Sequence, residues 1–173
     1  MSIYDNIQIE KINQTKTRIE SNSSMIDEVV EGIISPFCKD LDKYVHFIHS
    51  CLRDGENPPT TSELEDFCMN LSTYIYFAGG MCEQLGIRDD ISKAIYKETY
   101  NTHRTELEHG TVADKDSRAE LASQQELLTN ICYARAYKTL KSKVDNAQEL
   151  LGSCKKVLTH RIQEEELTRI GGK

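Results

Sequence analysis

An all-α fold of helical hairpins, closed by one long coiled-coil-like C-terminal helix and assembled as an oligomer, is what this sequence predicts. Two observations predict it. In the last third, Ser117 to Thr168, apolar residues recur at Tyr137, Leu140, Val144, Ala147, Leu151, Cys154 and Leu158, alternating steps of three and four as in a coiled-coil seam, with no proline among them. The composition points the same way. No Trp, four Phe, three Pro and 28% charged residues leave little of the aromatic and β-branched richness that strands favour. A helix of that length would run roughly 75 Å at 1.5 Å per residue, more than a compact domain of this size needs. The seven seam residues are therefore expected to form an oligomerisation surface in a homo-oligomer.

The elements follow in order. From Ile3 to Ile34, isoleucines recur every seven residues at Ile12, Ile19, Ile26 and Ile33, with Thr15 and Asn22 between them. Such a thin stripe buries little alone, which predicts a helix docked on another helix or on a neighbouring subunit. Ser35-Pro36 is expected to end it. Pro36 then suits the first turn of a second helix, whose apolar face is Phe37, Leu41, Tyr44, Val45, Ile48, Cys51 and Leu52. Asp54-Gly55 and Pro58-Pro59 mark a linker, dividing an N-terminal arm (1–56) from a hairpin and long helix (57–173). Beyond it, Ser62 with Glu65, or Thr60 with Glu63, has capping-box spacing. The helix that follows carries Leu64, Phe67, Leu71, Tyr74, Ile75, Ala78, Met81, Cys82 and Leu85, and is expected to stop at Gly86. Gly79-Gly80 inside it suggests a kink or a close helix approach. Asp89 or Asp90 can cap a further helix through Ile91, Ile95, Tyr96, Tyr100 and Leu107 that ends near Gly110. Thr111 to Asp116 would lead into the final helix, folding the two back as an antiparallel pair, with Gly171-Gly172-Lys173 a flexible tail.

Six cysteines, Cys38, Cys51, Cys68, Cys82, Cys132 and Cys154, sit mostly at apolar helix positions without any CxxC spacing, as reduced core thiols do. The N-terminus has no apolar core of a signal peptide, and no window approaches the ~18 apolar residues of a membrane span. An intracellular, soluble, cytoplasmic protein is expected. His46 and His49 with Cys38 and Cys51 fit no zinc spacing and are expected as partly buried helix residues, with no metal and no cofactor. The carboxylates fall in surface runs such as Asp89-Asp90 and Glu164-Glu165-Glu166, and no nucleophile elbow, metalloprotease helix, Walker motif or dinucleotide fingerprint occurs. No catalytic residue is expected, and the chain is read as non-enzymatic.

The charge pattern is more informative. The formal charge is −7, which argues against indiscriminate nucleic-acid binding, yet the last third concentrates Arg135, Lys138, Lys141, Lys143, Lys155, Lys156 and Arg161 against Asp145 and Glu149. Lys93, Lys97 and Arg104 add a second basic row, spaced four then seven. With Tyr133 nearby, Arg135, Lys138 and Lys141 have the make-up of a single-strand site, in which cations neutralise the backbone and bases stack on rings at about 1–3 kcal/mol each. Lysines beside a seam also serve simply to solvate it or to pair with acids on the next helix.

From about Leu64 onward, the order of parts resembles the UvsY-type recombination mediators of tailed phages. The matching parts are YIYFAGGMCEQLGIRDDISKAIYKETYNTHRTELEHG, then TVADKDSRAELASQQELLTNICYARAYKTLKSKVDNAQELLGSCKKVLTHRIQEEELTRIGGK. The resemblance implies a ring-like homo-oligomer that binds single-stranded DNA, helps displace single-strand-binding protein and loads a RecA-type recombinase. Lys93, Lys97 and Arg104 would then correspond to the basic DNA-binding helix, and Tyr137 to Leu158 to the oligomerisation helix. Two features depart from that pattern: the acidic balance, and a first sixty residues without counterpart, which suit a protein-docking arm. A small acidic helical protein that occupies a host defence protein's nucleic-acid channel, or a structural coiled coil, is the competing expectation.

Overall fold

The computed structural model describes residues 3–107 and 109–171, with side chains from Glu10 onward. Among the described residues there are four helices and no strand: α1 (Ile3–Arg53), α2 (Thr61–Glu106), α3 (Val112–Ala122) and α4 (Gln124–Gly171). The expected tail lies outside them at Gly172 and Lys173, whereas Gly171 closes α4.

The antiparallel pair is α2 on α4. Its register runs from Thr61 beside Glu165 (2.7 Å), through Gly86 against Tyr137, to Asp89 beside Asn130 (3.2 Å), and beyond it the end of α2 meets α3, with Arg104 beside Asp116. Across one face of this hairpin lies α1, antiparallel to α2 and parallel to α4. Two apolar clusters fill the space: Val30, Ile34 and Cys38 with Cys82, Leu85, Ala136 and Leu140, then Leu41 and Ile48 with Leu64, Phe67, Leu71, Val144, Ala147 and Cys154. Both draw on α1, α2 and α4, so the expected 56/57 boundary coincides with a loop while the core runs through it. Burying a Leu or Ile side chain contributes about 1.5–3 kcal/mol each. The core thus holds the bundle from Val30 on, and α1 before Ile26 has no such support.

Helix boundaries depart from expectation at four places. Pro36 does not end a helix: α1 runs through it. Proline removes an amide donor and crowds the carbonyl four residues back. That residue is Gly32, whose surroundings are open, and both positions face solvent, while Ile34 and Cys38 between and beyond them are fully buried and hold the turn in place. Gly86 does not stop α2 either. A Cβ there would stand 3.4 Å from the Tyr137 ring, so this glycine marks the close approach of α4, and Asp89 and Asp90 fall mid-helix. Gly79 and Gly80, by contrast, have nothing within 4 Å. Neither marks a close helix approach, and α2 runs through both. Finally, the last helix begins early and breaks once. Thr111 caps α3, and Ser123, buried, takes φ −99°, ψ 14° between α3 and α4. Its hydroxyl donates to the Ala119 carbonyl at 2.8 Å, the back-bonding that bends helices, while the ladder to Leu127 continues at 3.0 Å.

The caps were predictable in kind. Of the two capping boxes open to the sequence, the structure uses Thr60 with Glu63, and the same reciprocal pattern recurs at Thr111 with Asp114. Hydrogen bonds from the cap amide and hydroxyl hold the Glu63 carboxyl below its usual range. In the linker, the Asp54 carboxylate accepts from the amides of Glu56 and Asn57, an Asx turn that reverses the chain. Gly110, at φ +122°, supplies the left-handed residue that the α2–α3 turn requires.

Because Gly79 and Gly80 are helical with open surroundings, replacing each with alanine should raise stability by about 0.5–1 kcal/mol in urea unfolding. A loss of stability at either position would mean that α2 is not the continuous helix described here.

Candidate nucleic-acid interface

The site is built by the side of the hairpin that α1 leaves bare. On α2, Lys93, Lys97, Tyr100 and Arg104 are spaced four, three and four, which places them on one helical face. Lys93 and Lys97 thus share the α2 face whose Tyr100 and Arg104 meet α3, and Lys141 of α4 is among the charges that act on the Cys82 thiol. Lys138 stands one turn before Lys141. Lys93, Lys97, Lys138 and Lys141 are all exposed, and none is within 4.0 Å of a carboxylate oxygen among the described residues. From Lys141 to Lys93 the hairpin runs about 16 Å at 1.5 Å per residue. The four exposed lysines, two on each helix, make up the lysine row, and Glu83 and Asp145 act beside Lys141 on the Cys82 thiol.

The other three expected site residues go elsewhere. Arg104 donates from Nε to the Asp116 carboxylate of α3 at 2.5 Å, and Tyr100 donates to the same oxygen at 3.2 Å. That cation ties α3 to α2, and its charge is locally answered. Arg135 lines a cleft on the α1 side of α4, together with Ile19, Asn22, Ile26 and Asp27. Tyr133 is half-buried against the Val30–Leu140 cluster and faces Arg88, Ile91 and Ile95, so its ring and the lysine row are on different sides of the hairpin.

The seam residues are in the core of a single copy. Leu140, Val144, Ala147 and Cys154 are buried, and Tyr137, Leu151 and Leu158 are half-buried, all packed with residues of α1 and α2. The cover that their spacing demanded is supplied by the chain itself, because α1 crosses from α2 to α4 over this stretch.

Several contacts had no sequence signature. Lys143, expected as part of the basic run, donates to the Asp42 carboxylate of α1 at 2.6 Å, and this pairing raises its pKa against an opposing desolvation. Arg161 donates to the Pro59 carbonyl, closing the linker onto α4. Asn130 donates to Asp89 and Ser92 across the hairpin, at 3.2 and 3.0 Å. These are single polar residues on long helices, and only the register of the hairpin pairs them. His46 and His49 are exposed, not partly buried, because the core stripe of Leu41, Val45, Ile48 and Leu52 leaves them outside. Among the described residues no group of three or more His, Cys, Asp or Glu is placed to hold a metal ion, and no helix is long and apolar enough to cross a membrane. A cleft of about 820 Å³ lies at the far end of the hairpin between Thr60 and Arg169, away from the lysine row.

Compared with protein-family models, curated proteins and solved structures, the chain matches none.

The cysteines are free, and Cys38, Cys68, Cys82 and Cys154 are buried. Burial, reinforced by the Asp42 carboxylate, pushes the Cys38 thiol up to about 11. Since only the thiolate reacts, alkylation of the folded protein at about pH 8 should modify half-buried Cys51 and Cys132 first and leave Cys38 intact. Peptide mass mapping checks this order. Early modification of Cys38 would contradict the packing of α1 on the hairpin.

Proposed function

We propose that this protein is a non-enzymatic accessory factor of DNA recombination, which binds single-stranded DNA along the exposed lysine row and works as a homo-oligomer. The observation that carries the reading is a set of four exposed lysines, Lys93 and Lys97 on α2 and Lys138 and Lys141 on α4, none with a carboxylate partner among the described residues. Cations held on two rigid helices can track a phosphate backbone, and they carry no means of reading base edges. The order of parts from Leu64 onward, which resembles the UvsY-type mediators, adds the expected role: helping a RecA-type recombinase replace single-strand-binding protein. The answered charge of Arg104 and the α1-side position of Arg135 narrow the proposed contact to the four lysines.

A second reading is favoured by a different observation. The first part of α1 is an exposed helix with Ile12 and Ile19 in its stripe, in a chain of charge −7. That combination suits protein docking, including occupation of another protein's nucleic-acid channel.

Fluorescence anisotropy with labelled oligothymidine and duplex DNA at several salt concentrations separates the two. Binding to single strands should weaken steeply with salt and be indifferent to sequence. The Lys138→Ala, Lys141→Ala double variant should flatten the log–log salt slope by about 1.4, at roughly 0.7 per contact. Tyr133→Ala should leave that slope unchanged while lowering thermal stability. No retention of single strands at low salt would remove the DNA reading in favour of protein docking.

A further inference from the structure

The hairpin face that α1 covers from Val30 to Ile48 continues beyond that cover. There, α2 carries Ile91 and Ile95, 53% and 48% exposed, opposite Thr129 and Tyr133 of α4. Between the helices runs a groove of about 390 Å³, bounded by Arg88 at one end and floored by Tyr133. This groove also holds an unanswered polar atom. One carboxylate oxygen of Glu126 is buried with no hydrogen-bond partner among the described residues. A buried acceptor left unmatched is costly, so the groove lacks a donor that this copy does not bring to it.

The complementary surface is on the same chain. Every residue of α1 from Glu10 to Met25 is exposed, including Ile12 at 64% and Ile19 at 62%. These two continue the seven-residue spacing of Ile26 and Ile33, which pack against the core. They therefore lie on the α1 face that, further along, meets α2 and α4. Asn22 and Ser23 flank the stripe with uncharged side chains that can donate to a carboxylate, whereas the Thr15 hydroxyl is already given to the Lys11 carbonyl at 2.9 Å. An asparagine at such a position is a known device for fixing register between packed helices.

The arm does not line the groove of its own copy. Ile19, Asn22 and Ser23 border a separate cleft against Ile131, Arg135 and Thr139 of α4, and no α1 residue borders the groove. No glycine or proline lies between Ile3 and Glu31, so this part of α1 is a continuous helix that leaves the groove open to a second copy.

We propose that the Glu10–Met25 arm of α1 lies in the Arg88–Tyr133 groove of a second copy, whose own arm returns to the first. Reciprocal exchange closes as a two-fold dimer and leaves no arm or groove unfilled. The interface deepens the homo-oligomer part of the proposed function, and it uses none of the four lysines. Its failure would therefore leave DNA binding, measured separately by anisotropy, undisturbed.

Light scattering on the full chain at micromolar concentration tests it. The wild type should be a dimer. Ile12→Asp with Ile19→Asp should give a monomer with the melting of its bundle intact, because both residues are exposed in the single copy. Ile91→Asp with Ile95→Asp should do the same, each pair weakening association on the order of 100-fold or more, as charges placed in an apolar contact do. Mixing the two double variants should restore a dimer, since one intact arm then meets one intact groove. A monomeric wild type, a dimer that survives either pair of substitutions, or a mixture that stays monomeric would overturn the proposal.

Discussion

The contact of α2 with α4 is the constraint on which the remaining arrangement depends. Two helices of 46 and 48 residues lie antiparallel from Thr61 beside Glu165 to Ser92 beside Asn130, with Gly86 under the Tyr137 ring and Ala78, Leu85, Leu140 and Ala147 buried. Close packing of this kind leaves two sides. One is apolar enough to receive α1, and the other stays in water with its lysines. Residues two apart on α4 are consigned to different fates by that division. Lys143 turns toward α1 and meets Asp42, while Lys141 turns away and stands among exposed charges. Neither outcome is a property of lysine; both follow from the rotation of one helix on the other.

Much of the fold was legible because it depends on period and punctuation. The spacing from Tyr137 to Leu158 identified the buried stripe of α4, the Asp54–Pro59 linker separated α1 from α2, and Thr60 with Glu63 offered the cap that forms. The misplaced boundaries share one cause. Pro36, Gly86 and Asp89 are local stop or start signs, each worth at most a few kcal/mol, and packing on both sides overrides them. Ser123 fails in the opposite sense: nothing in its neighbourhood announces a break, which arises from a hydroxyl bonding back to Ala119. The seam illustrates a further limit. Its period shows that a partner is needed but not whose, and here α1 and α2 of the same chain provide it.

The candidate site was legible as composition and not as geometry. Basic residues could be counted, but their partners could not: Lys143 and Arg161 of the last third meet Asp42 and Pro59, about a hundred residues away, and Arg104 meets Asp116 across a turn. What survives unanswered among the described lysines of the hairpin is Lys93, Lys97, Lys138 and Lys141, with Lys155 and Lys156 further along α4. The apolar groove at Ile91 and Ile95 was visible only as an ordinary helix face, and it acquires meaning from the early departure of α1. One hairpin thus offers two chemically distinct surfaces, a charged one suited to a polyanion and an apolar one suited to a helix. A charge of −7 is compatible with both, because the field that matters to a bound strand is that of the nearest residues, within a Debye length of about 10 Å at moderate salt.

The measurement closest to the central claim is lysine footprinting by acetylation, with and without excess oligothymidine, read residue by residue by mass spectrometry. If the lysine row is the DNA surface, Lys93, Lys97, Lys138 and Lys141 should be protected together, while the exposed Lys11, Lys16 and Lys39 of α1 keep their full reactivity. Uniform reactivity at all seven, or protection confined to α1, would contradict the account.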